Sequence, residues 1–166
     1  MKKSLIIILI FLIAALLMIV SLIDSASSEE KYILCKPKTE INVRACPKWG
    51  GEIIGHLYFG DSVELDGKVR NGFAHIVGLS FESMEGWIYQ GLLVDTPPVA
   101  FKGKDQIISD GRVAARQYIG GKRNKWLRSG REVVVYAISE EWSITDQGYI
   151  KTEYLSVNYQ IPQPED

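Results

Sequence analysis

Cys35 and Cys46 are the only cysteines of the chain, and His56 and His75 its only histidines. A thiolate nucleophile needs an imidazole base and a third group to orient that base. A structural zinc site needs four nitrogen or sulfur ligands. Neither spacing is present, and no glycine-rich phosphate loop occurs. The cysteines read better as a pair. A hairpin over residues 36–45 with its turn at Glu40-Ile41 sets Cys35 opposite Cys46, and opposed residues of an antiparallel pair lie about 4.5–5.5 Å apart at Cα, within disulfide range. The spacing predicts a Cys35–Cys46 disulfide; two buried free thiols are the alternative. His56 and His75 read as surface or strand histidines. Glu140 and Glu141 are adjacent, so on a strand they point to opposite faces and cannot flank a glycosidic bond. Lys122, Arg123, Lys125 and Arg128 cluster where an anionic polymer would be met, although a solvated loop is the simpler reading. The aromatics are the best candidates for binding. Trp49 precedes Gly50-Gly51 in an expected loop, Phe81 lies in an inserted loop, and Tyr89 and Tyr118 complete the set. Exposed rings beside loops offer flat faces to sugars and extended peptides. Sealing an interface within the chain is the competing role for such rings.

These residues need a scaffold, and composition bounds it. The 166 residues carry 19 basic and 20 acidic side chains, are 46% hydrophobic and 23% charged. That balance excludes disorder. With a net charge of −1 there is no global field for a nucleic-acid backbone. Lys2 and Lys3 precede an apolar run from Leu5 to Ile23, which sends the remainder of the chain across a membrane. Residues 1–27 are therefore expected to be a hydrophobic helix, either a signal peptide cleaved after Ser27 or a retained anchor. The exported remainder carries 17 basic and 19 acidic residues, a net charge of −2.

The remainder repeats itself. At an offset of 70, Asn42-Val43-Arg44-Ala45 falls on Arg112-Val113-Ala114-Ala115, Gly50-Gly51 on Gly120-Gly121, Leu57 on Leu127, Gly60 on Gly130 and Val63 on Val133; later Phe73 falls on Trp142, Trp87 on Tyr149 and Leu93 on Leu155. About seven extra residues in the first copy fall within 77–85. His56 falls on Trp126, so the fold does not need an imidazole there. Each copy alternates polar and apolar residues as half-buried strands do, as in residues 61–66, with Glu132–Ile138 suiting a more central strand. Asn71-Gly72 marks a hairpin turn. Trp87, Trp142, Tyr149 and Phe73 are assigned to the cores. The expected class is all-β: two small barrels in tandem behind one N-terminal hydrophobic helix. The segments are 31–95, a proline-bearing linker 96–100, 101–157 and a tail 158–166.

Asn42-Val43-Arg44 with Cys46-Pro47, Ile54-Gly55, Gly60-Asp61-x-Val63, Gly86-Trp87-Ile88 and Leu92-Leu93 resemble the bacterial SH3-like domain. The second copy keeps Gly130, Val133, Trp142, Gly148-Tyr149-Ile150 and Tyr154-Leu155 but has Arg112-Val113-Ala114 where the family has its N-V-R. The resemblance implies SH3-like barrels and a non-catalytic binding module that takes cell-wall peptide or glycan and uses no cofactor. An extracytoplasmic adaptor docking extended segments of an envelope protein is the alternative. The expected ligand-binding residues are Trp49, Phe81, Tyr89 and Tyr118.

Overall fold

The computed structural model describes residues 28–79 and 84–156. The expected leader 1–27, the tail from residue 158 and the candidate Phe81 lie outside the described residues. Among the described residues no helix is long and apolar enough to cross a membrane. These described residues are all-β, 58% strand, without a helix of seven residues or more.

Thirteen strands succeed one another in chain order among the described residues. The first seven are β1 (Glu29–Ile33), β2 (Ile41–Arg44), β3 (Ile53–Leu57), β4 (Ser62–Arg70), β5 (Phe73–Leu79), β6 (Gly86–Tyr89) and β7 (Leu93–Val94). The other six are β8 (Val99–Gln106), β9 (Arg112–Arg116), β10 (Arg123–Arg128), β11 (Glu132–Ile138), β12 (Trp142–Thr145) and β13 (Gly148–Lys151). They form two sheets, ordered β3-β2-β6-β5-β4-β1-β7 and β10-β9-β13-β12-β11-β8. Taken position by position the orders are identical, with β7 added to the first. The expected linker shortens at its end, because Val99 and Ala100 already pair with Ile138 and Ala137 in β8.

Backbone hydrogen bonds fix the equivalence. Gly60 N–H donates to Ile33 O at 3.0 Å and Gly130 N–H to Ile107 O at 2.7 Å. Both glycines sit at positive φ, 84° and 76°, where a Cβ is penalised. Gln90 N–H donates to Gly72 O and Thr152 N–H to Glu141 O, each at 3.0 Å. One stretch of the repeat must be corrected. Arg44 Nη1 donates to Gly51 O at 2.7 Å and Arg116 Nη1 to Gly121 O at 2.8 Å, and these arginines pair with the equivalent residues Trp87 and Tyr149. The counterpart of Arg44 is thus Arg116, not Ala114. The loop after β9 is two residues shorter: Ala45 N–H bonds Glu52 O, whereas Gln117 N–H bonds Lys122 O. The residues lost are those corresponding to Cys46-Pro47, which is why the second copy has no proline.

Among the described residues three apolar cores hold the strands together. Val43, Leu57, Val63, Ile76 and Ile88 centre the first unit, and Ile107, Val113, Val133, Val135 and Ile150 the second. The third core joins Leu34 and Val94 of the first unit to Ala137, Trp142, Ile144 and Tyr149 of the second. Trp142 and Tyr149 therefore fill the junction rather than the second unit's own core. All three cores draw only on residues from Tyr32 onward, so the segment 28–166 contains every packing contact described.

The predicted disulfide is absent: Cys35 and Cys46 are free thiols. The hairpin that would oppose them does not form, because β2 pairs with β3 and β6 instead. Lys36 to Thr39 make their own turn, closed by Thr39 N–H on Lys36 O at 3.0 Å with Lys38 at φ 69°. Cys35 enters the first core, its thiol donating to Thr39 O at 3.7 Å. Burial, and then the charge of Asp61, push that thiol up to about 11, which leaves it a poor nucleophile. Glu140 and Glu141 lie in the turn between β11 and β12, not on a strand.

Candidate functional site

Strands β5 and β6 build the site. They pair Phe73 with Tyr89, Ala74 with Ile88, His75 with Trp87 and Ile76 with Gly86. Alternation then sends Ala74, Ile76 and Ile88 into the first core, and leaves Phe73, His75, Trp87 and Tyr89 sharing the opposite face. The cross-strand rings meet in pairs, Phe73 and Tyr89 at 5.6 Å between centroids and His75 and Trp87 at 4.6 Å. Two loops add to this ladder. Trp49 stands over both Phe73, edge-on at 5.2 Å, and Tyr89, tilted at 4.9 Å. Tyr118, from the loop after β9, meets Tyr89 edge-on at 4.5 Å.

The two loops are equivalent by their hydrogen bonds, Gly51 N–H to Lys48 O and Gly121 N–H to Tyr118 O. The second unit's loop crosses to the first, where Ile119 N–H donates to Gly91 O at 2.9 Å. Three of the four ring candidates, Trp49, Tyr89 and Tyr118, thus form one cluster. Phe73, expected in a core, is 1% exposed and forms the floor beneath Trp49, which is 60% exposed. Trp87, also expected in a core, is half-buried on the outer face.

Sequence reasoning missed the polar end of this face. His75 is buried, and its Nδ1 lies 3.0 Å from Asp66 Oδ2 and its Nε2 3.4 Å from Glu85 Oε1. Lys68, and then His75, hold the Asp66 carboxyl well below the usual carboxylate range. The carboxylates bind opposite ring nitrogens, so they do not converge on one point. Among the described residues no group of three His, Cys, Asp or Glu side chains is placed to hold a metal. His56 is exposed on β3, 3.9 Å from Glu40 Oε2.

The second unit disposes of the same face differently. Its counterparts Trp142, Ile144 and Tyr149 are buried in the junction. Tyr149 Oη donates to Leu34 O across it at 2.8 Å. One copy of the face is consumed in joining the units, and the other stays open.

Two predictions arise here. Asn71, at φ 52° before Gly72 at 78°, forms a two-residue turn of the type that requires positive φ at both positions. Its Nδ2 also donates to Pro47 O at 3.1 Å, tethering the loop that carries Trp49. Asn71→Ala should cost about 1 kcal/mol through the strained turn. Asn71→Gly keeps the turn and loses only the tether, so its urea midpoint should stay closer to wild type than that of Asn71→Ala. The second concerns pH. Burial, and then the hydrogen bond with Tyr118, push the Tyr89 phenol up to about 12, and burial holds Tyr149 above the ordinary phenol range. Raised acids favour the protonated form in the folded state. Their stabilisation is complete below pH ~10 and is lost as pH rises through the folded values. Urea midpoints should hold to about pH 10 and fall between roughly pH 10 and 12, and fall less in Tyr89→Phe, which has no phenol to ionise.

No family model matches the chain, and no curated protein matches it. Among solved structures it is similar to NlpC2 of Trichomonas vaginalis, with 16% identity and a TM-score of 0.31 over 84% of this chain and 52% of that one. It is also similar to NlpC1 of the same organism, with 17% identity and a TM-score of 0.32 over 85% and 49%. The chain spans about half the length of these proteins.

Proposed function

We propose that the two units are bacterial SH3-like barrels in tandem. In this reading the protein is exported and non-catalytic, and it binds cell-wall peptide or glycan on the open aromatic face of the first unit. The observation that carries the reading is the convergence of Trp49, Tyr89 and Tyr118 over Phe73, fed by the same loop from both copies. Stacked rings receive sugar faces and extended chains. At the far end, the exposed Glu85 offers negative charge beside Trp87 to an amino group of a wall peptide. The family residues support the barrel reading: Val43 and Arg44 lie on β2, Gly60-Asp61 leads into β4, and Gly86-Trp87-Ile88 begins β6. Residues 1–27 carry the export reading, as a retained membrane anchor or a cleaved signal.

Co-sedimentation of residues 28–166 with purified peptidoglycan sacculi tests the function. Pelleting that Trp49→Ala reduces supports it; a protein that stays in the supernatant across salt and pH refutes it. The adaptor reading has one observation of its own. Strand β3 is a sheet edge whose Ile53 and Ile54 are 47% and 43% exposed, and such an edge accepts an extended partner segment. Under that reading Ile54→Lys abolishes partner capture and Trp49→Ala does not.

A further inference from the structure

We propose that the outer face of the β9–β10 hairpin is a second binding site, for a linear polymer whose repeating charge is a phosphate. The sequence segregates charge sharply. Residues 111–131 hold seven basic side chains and no acidic one, which leaves 12 basic against 20 acidic for the rest of the chain. Of the cluster read as a solvated loop, Arg123, Lys125 and Arg128 lie on a strand, β10, at the edge of its sheet, and only Lys122 stays in the loop. There Arg128 lies directly opposite Arg112 and Arg123 opposite Arg116, flanking the pair Trp126 and Ala114.

Like charges directly opposed destabilise an antiparallel pair. The fold does not require them: the equivalent hairpin of the first unit pairs Asn42 with His56 and Arg44 with Ile53. Nor are they neutralised. Among the described residues Lys31, Lys68, Lys104 and Lys151 each have a carboxylate partner, and none of the seven cations of residues 111–131 has one. Arg116 is engaged with Gly121 O and Lys125 with the Gln147 side chain. A shallow cleft of about 300 Å³ opens beside the row, lined by Lys125, Trp126, Arg128 and Arg131.

The chemistry favours phosphate on a chain. Five of the seven cations are arginines, whose forked donors suit phosphate oxygens. From Arg123 to Arg128 the row runs about 17 Å at ~3.3 Å per residue, too long for a single ion. The Arg123 guanidinium covers one face of the half-exposed Trp126 ring at 4.4 Å. That indole therefore presents a cation rather than an apolar wedge for a lipid headgroup layer.

Titration of residues 28–166 with long-chain inorganic polyphosphate tests the site. Affinity should fall at least about tenfold between roughly 50 and 200 mM salt, as release of several counterions requires. Arg128→Glu should lower affinity at least about tenfold while its melting temperature stays level or rises, because it replaces an Arg–Arg pair with an ion pair. Arg128→Gln should act in the same direction by less. Trp49→Ala should leave polyphosphate binding unchanged, which separates this site from the aromatic face. Failure to bind polyphosphate at low salt, or wild-type affinity in both Arg128 variants, overturns the proposal. Tighter binding of polygalacturonate overturns the phosphate assignment. Capture by phosphatidylglycerol vesicles without polyphosphate binding makes the face a membrane contact instead.

Discussion

Tyr149→Ala should cost about 3–5 kcal/mol, the usual range for truncating a large buried aromatic, and should weaken wall binding as well. Tyr149 is 5% exposed in the core shared by the two units, among Leu34, Val94, Ala137, Trp142 and Ile144. Its hydroxyl donates to Leu34 O across the junction. The binding loss has a geometric cause: Tyr118 reaches Tyr89 only because the junction holds the second unit's loop against Gly91. Tyr149→Phe isolates the hydroxyl. It keeps the ring and leaves a buried carbonyl without its donor, for about 1–2 kcal/mol. Urea unfolding monitored by tryptophan fluorescence checks both variants. A loss below about 1 kcal/mol for Tyr149→Ala would mean that the units are not joined through this core.

Trp49→Ala should lower affinity for solubilised peptidoglycan fragments by about 30-fold, the equivalent of the ~2 kcal/mol lost at an aromatic hot spot. The same substitution should cost no more than about 1 kcal/mol of stability. Trp49 is 60% exposed and touches its own molecule mainly through Phe73, edge-on, and Tyr89, tilted, and for so exposed a ring the two contacts fall at the low end of the usual range, ~0.5 kcal/mol each. Tyr89→Ala removes the ring at the centre of the cluster and should be as severe, whereas Tyr89→Phe keeps the platform and should retain most of the affinity. Binding and folding therefore separate at Trp49, and calorimetry beside thermal unfolding reads both. Wild-type affinity in Trp49→Ala would remove the aromatic platform as the ligand's site.

The all-β class, the repeat and its turn residues are legible in the sequence because they obey local rules. Period-two alternation places β4 and β11, and positive-φ positions demand Gly60, Gly130 and Asn71-Gly72. The equivalence of β2 and β9 is off by two residues when read from the sequence. A two-residue slip keeps every side chain on its own face, so the pattern cannot detect it; the paired arginine bonds to Gly51 and Gly121 do. The cysteine pairing fails because it rests on a hairpin inferred from numbering, and strand β2 has better partners in β3 and β6. The rings of the candidate site are visible as exposed aromatics near loops. Their convergence is not, since Tyr118 joins Tyr89 through a junction built from Trp142, Ile144 and Tyr149. Nothing local distinguishes a face that buries itself against a neighbour from one that stays open.

The four tryptophans report on the separate surfaces of the molecule. Trp49 and Trp87 stand on the open aromatic face, Trp126 on the basic hairpin and Trp142 in the junction. The most direct measurement is the shift of the four indole N–H resonances as muropeptides are titrated into residues 28–166. Wall binding on the aromatic face predicts that Trp49 and Trp87 move and saturate together while Trp126 and Trp142 stay in place. Movement confined to Trp126, or none at all at saturating muropeptide, would contradict it.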